Sequence, residues 1–110
     1  MDTQKNILLI DSRRSFLDAR PAHIARNGHD AVKLMSKYEG QIKAIWLDKI
    51  HDFQTVLDFL KFRKEMGYPY PVNIINIHSP EEANWIYLSN KLKFIGYRYR
   101  REAIWDNLSD

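Results

Sequence analysis

The sequence predicts a three-layer α/β domain with four or five mostly parallel strands. Three observations predict it. Short apolar runs such as "KNILLI" and "VNIINI" recur along the chain, separated by stretches long enough for a helix. These runs are short and near-continuous, as strands covered on both faces are. Between them, apolar residues fall at helical spacing instead.

The first strand covers residues 5–10 and stops at Asp11, where the polar, arginine-rich "DSRRSFLDARP" begins. A second short strand covers "AHIAR" at 22–26. "NGHDAVKLMSKYEG" opens on the turn-prone Asn27-Gly28 and places Ala31, Val32, Met35 and Tyr38 on one helical face, with Gly40 as its stop. "IKAIWLD" (42–48) is the third strand, again ending in an aspartate. Residues 53–67 form an amphipathic helix with Val56, Leu57, Phe59 and Leu60 inward, His51-Asp52 before it as a cap segment and Gly67 after it. "YPYP" is a loop, because residues before proline are pushed away from helix. The fourth strand is 72–77. Ser79-Pro80-Glu81-Glu82 then reads as a capping box with proline at the first helical position, opening a helix that runs to about Leu92. "FIGYRYR" (94–100) is a candidate fifth strand, and "EAIWDNL" a last short helix or a docked tail.

A chain of 110 residues is long enough for one domain with one core. Without cysteine, neither a disulfide framework nor a thiolate metal site can form. The longest apolar stretches are five or six residues, too short to span a bilayer, and no signal-peptide pattern opens the chain. The expectation is therefore a cytoplasmic protein with no membrane partner. A net charge of +3 permits an anionic partner without demanding one. No two of the four histidines have ligand spacing, which argues against a histidine-built metal centre.

Parallel strands joined by right-handed crossovers put all their C-terminal ends on one edge, where ligands of such sheets bind. Asp11, Asp48 and His78 each fall at a strand end. Far apart in sequence, they are expected to meet in space.

The motifs "IDSRRS" (10–15), "WLDKIHD" (46–52) and "IHS" (77–79) resemble those of the cyclic-phosphate processing receiver domains, relatives of response-regulator receivers. That family carries "IDDxRP", "LDHD" and "HS" after its core strands, and its first helix is shortened or lost. The likeness covers roughly residues 5–92, with short motifs. Ser12 stands in place of the second acid, Ser15 in place of the proline, and Lys49 and Ile50 in place of His and Asp. What the resemblance implies is a receiver-like (flavodoxin-like) fold and a phosphate-ester ligand, such as a cyclic phosphate of a nucleotide or an RNA end. Asp11, Asp48 and His78 would be the catalytic set, with His78 moving a proton. Asp11 and Asp48 would also hold magnesium, weakly, because one carboxylate per strand end is poor for that ion. Arg13 and Arg14 would grip the anion, Arg14 being aligned with the family's arginine, and Ser79 would hold it at a helix start.

Plainer readings stand beside these. The two aspartates would bond strand-end loops, His78 would satisfy backbone groups, and Ser79 would cap a helix. The interleaved "GYRYRRE" makes Arg98 and Arg100 candidates for nucleic-acid contact, although Tyr97 and Tyr99 on one strand face would more naturally pack under a helix. The alternative function is a degenerate receiver that regulates a protein partner, with Tyr87, Tyr97 or Trp105 as its anchors.

Overall fold

The computed structural model describes residues 4–109. Its sheet has five strands, all parallel: β1 (Ile7–Ile10), β3 (His23–Ala25), β4 (Ala44–Leu47), β5 (Ile74–Ile77) and β6 (Tyr99–Arg101), in the order β3-β1-β4-β5-β6. The chain adds strands to one side of β1 first and to the other side afterwards. The reversal lies between β1 and β4, the place where doubly wound sheets open a crevice.

Alternation along each strand separates two cores. Leu8, Ile10, Ile45, Leu47, Ile75 and Ile77 face one way. They pack against Ala31 and Met35 of α1 (Gly28–Lys37), Val56, Leu57 and Leu60 of α2 (Phe53–Glu65), and Leu88 and Leu92 of α3 (Glu82–Ile95). The inward residues expected for the first two helices are therefore the observed ones; Val32, Tyr38 and Phe59 are partly buried against the same core. Leu9 and Trp46 face the other way. They meet Phe16 of β2 (Ser15–Phe16), Ile104 of α4 (Ile104–Asn107) and Leu108 of β7 (Leu108–Ser109).

The three long helices thus share one face, and the third layer is thin. The stretch between Asp11 and β3 has no helix. It crosses the second face as an extended loop, and β2 pairs antiparallel with β7 to fasten it. Leu108→Ala removes a buried anchor of that fastening. It is expected to lower stability by about 2–3 kcal/mol in urea unfolding and to increase acrylamide quenching of tryptophan.

Three boundaries differ most from the expectation. The helix α3 begins at Glu82, with Glu81 at its N-cap and no side-chain cap bond. Ser79 is buried at the strand end and its hydroxyl accepts from the Glu81 amide at 3.4 Å, so the chain turns for two residues before the helix starts. Phe94 and Ile95 continue that helix, and Gly96 ends it at φ 104°, a left-handed conformation that suits glycine. The fifth strand is correspondingly later, Tyr99–Arg101 rather than 94–100. Among the described residues, no helix is long and apolar enough to cross a membrane.

Candidate functional site

Asp11, Asp48 and His78 follow β1, β4 and β5 directly, on three adjacent strands. One side-chain ligand atom from each lies within 4.8 Å of the other two. The expected convergence is real, and it sits beside the reversal of strand order.

The members differ in what they face. Asp11 is fully buried. Its amide donates to the Ala25 carbonyl at 3.0 Å, which ties the strand end to β3. Its Oδ1 accepts from the Arg13 and Arg14 amides at 2.9 and 2.7 Å, the turn that a short carboxylate makes with the residues just after it. Its Oδ2 lies 3.0 Å from His78 Nε2, and an Arg14 guanidinium nitrogen stands at 3.6 Å. Burial alone would push the Asp11 carboxyl up, but the hydrogen bonds from His78 and the two amides outweigh it and hold the group far below the usual carboxylate range.

An ionised carboxylate has no proton to give, so His78 Nε2 is the donor of that bond. In the neutral ring this leaves Nδ1 as the bare nitrogen. His78 is fully buried, and Nδ1 has no hydrogen-bond partner. The Trp46 ring lies 6.0 Å from the imidazole, and Phe16 meets Trp46 edge-on at 5.1 Å. Two aromatic side chains therefore cover the side of the cluster toward the second face.

Asp48 is half-buried and is the member nearest solvent. Its Oδ1 accepts from the Lys49 amide at 2.7 Å. Arg14 is buried against Asp11, while Arg13 is exposed. Ser79 is engaged with Glu81, as described above. Arg98 and Arg100 are exposed on the far edge strand and its approach, and Arg100 pairs with Glu102 at 2.6 Å. Tyr97 is buried and Tyr99 half-buried against the main core, so this run offers solvent its arginines and not its rings. Tyr97 accordingly cannot serve as an exposed anchor, whereas Trp105 remains 75% exposed.

Arg26 was not singled out by the sequence. Its guanidinium donates to the carbonyls of Asp11 and Arg14 at 3.3 and 2.7 Å, pinning the loop that carries both. The only hint is its place just after the second strand, beside the Asp11 loop once the strands pair. A surface groove between α2 and α3, lined by Leu57, Lys61, Lys91, Phe94 and Ile95, shares no residue with the cluster.

Magnesium prefers oxygen ligands in near-octahedral array at about 2.0–2.1 Å. Both Asp11 oxygens already face N–H donors, and Arg14 adds positive charge beside them. Asp48 alone is left to supply an open carboxylate, so the donor set does not fit the ion. The chain matches no family model, no curated protein and no solved structure.

Proposed function

We propose that this is a receiver-like domain of the cytoplasm that binds, and processes, a phosphate ester at the β1–β4–β5 edge. A cyclic phosphate of a nucleotide or of an RNA end is the ligand class. The observation that carries this reading is the meeting of Asp11, Asp48 and His78 within 4.8 Å at the reversal of strand order. Opening a cyclic phosphate adds water to phosphorus and breaks one P–O bond. One proton must leave the water and one must reach the departing ribose oxygen. His78, its Nε2 proton held by Asp11, moves the proton through Nδ1, for which the ligand is the partner; Asp48, on the solvent side, orients the water; and Arg13 and Arg14 hold the anion.

A second reading has its own observation. Asp11 and His78 are fully buried and bonded to each other, as befits a structural pair in a degenerate receiver. Such a domain would regulate a protein partner through an exposed aromatic such as Trp105.

A panel of 2′,3′-cyclic and linear nucleotides separates the two. On the first reading at least one compound binds or turns over. His78→Ala then lowers turnover about 10²-fold, the usual share of a positioned acid or base. Arg14→Ala weakens binding more than it slows chemistry, because an anion clamp grips ground and transition states alike. A silent panel, with activity lost on Trp105→Ala in a partner-binding assay, would establish the second reading instead.

A further inference from the structure

We infer that the strand-end cluster carries its own donors in place of a divalent metal, with the Arg14 guanidinium and the His78 imidazole N–H taking the positions on Asp11 that an ion would need. The inference concerns the cluster on which the proposed function rests. Its test uses metal ions alone, so a silent nucleotide panel and a metal response are independent results.

A carboxylate offers about four lone-pair positions. Two, on Oδ1, are taken by the Arg13 and Arg14 amides. Oδ2 is met by His78 Nε2 at 3.0 Å and faced by Arg14 at 3.6 Å. An ion bound to this oxygen would have to sit where the imidazole proton lies and next to a fixed positive charge.

His78 resists conversion into a ligand for the same reason. To bind metal through Nε2, the ring must move its proton to Nδ1. That nitrogen is buried with no acceptor, so the shift would bury an N–H without a partner. Histidines that do bind metal have their second nitrogen bonded to a carboxylate, carbonyl or water, and His78 has that support only on the nitrogen facing Asp11.

The sequence around the cluster is consistent with this exchange. Ser12, the neighbour of Asp11, is exposed and neutral. Arg14 stands 3.6 Å from Asp11, and Lys49, next to Asp48, lies over the rings of Phe53 and Tyr87 at 5.5 and 5.0 Å.

Thermal unfolding in EDTA is compared with unfolding in 5 mM MgCl2 and in 5 mM MnCl2, for the wild-type chain and for Ser12→Asp/Arg14→Ala. The wild-type Tm is expected to move by less than about 1 °C, whereas a site with Kd near 50 μM would raise it by about 10 °C or more. The double variant, which removes the guanidinium and adds an acid, is expected to gain several degrees with one of the ions. A wild-type rise above about 4 °C with either ion overturns the inference, and that arm needs no variant to fold. A folded double variant as unresponsive as the wild type overturns the assignment to Arg14.

Discussion

Asp11→Ala is expected to destabilise the protein by about 3–5 kcal/mol, the cost of removing one partner from a buried charged pair. The substitution strips the acceptor from three donors at once: the Arg13 and Arg14 amides and His78 Nε2. Arg14 and His78 are buried, so water does not readily replace what they lose. Asp11→Asn keeps an oxygen for the two amides and loses only the charge and the bond to His78 as donor, so an intermediate loss is expected. The pH dependence gives a second check. The native carboxyl stays ionised at pH values where the unfolded one, near its ordinary value of about 3.9, takes up a proton. Acid therefore favours the unfolded chain. The contribution is fully present above about pH 4–5 and drains away as pH falls toward the depressed native value. Urea unfolding across pH 6 to 2.5 should show the gap between wild type and Asp11→Asn closing with acid. A gap that does not change with pH would mean that Asp11 is not the ionised group.

Which parts of this arrangement could be read from sequence follows from how far each signal reaches. Four of the five sheet strands were legible as short apolar runs: β1, β4 and β5 are almost wholly buried, and the edge strand β3 keeps an apolar Ile24 although it is exposed. The periodic faces of α1 and α2 were legible for the matching reason. The edge strand was displaced because Phe94 and Ile95 look like the start of a strand, yet they end a helix, with Phe94 left 82% exposed. Nothing local distinguishes an exposed phenylalanine at a helix end from one entering a sheet. The β2–β7 pair was illegible, since two residues carry no period and the partners are 94 apart in sequence at Ser15 and Ser109.

The same limit applies to the cluster. Topology alone places Asp11, Asp48 and His78 on one edge, because parallel strands share their direction. It does not say whether a carboxylate looks into open space or at a neighbour. Asp11 looks at His78, and the reason is the tight turn at 11–14, whose two amides rotate the carboxylate inward. Asp48 has no such turn; the Lys49 amide holds it, and it stays at the surface. Two aspartates in equivalent places thus acquire different roles from the residues that follow them. The capping box failed on similar grounds, since Ser79 has the right type and spacing but is held in the strand-end turn.

The second large effect is expected at Gly28, where the β3–α1 turn is clasped to the loop that follows Asp48. The Gly28 amide donates to the His51 carbonyl at 2.9 Å, and a Cβ at this position would overlap the carbonyl carbon and oxygen of Asp52. The obstruction is backbone, so no side-chain rotation relieves it. Asp52 is itself held at φ 59°, a left-handed conformation uncommon for a residue with a side chain, and cannot slide without unwinding the start of α2. Gly28→Ala is therefore expected to lose about 3 kcal/mol or more, at the upper end for overpacking. Gly40→Ala is the control. Gly40 has φ 91° but nothing within 4 Å of an added Cβ, so only the conformational cost applies, about 1–2 kcal/mol. Urea unfolding of both variants decides the point, and a Gly28→Ala loss no greater than that of Gly40→Ala would rule out the clasp. The clasp also bears on function, because residues 48–52 run from Asp48 to the contact. Parting the two loops shifts Asp48 away from Asp11 and His78. Any ligand found for the cluster should then bind Gly28→Ala more weakly under conditions where both proteins remain folded.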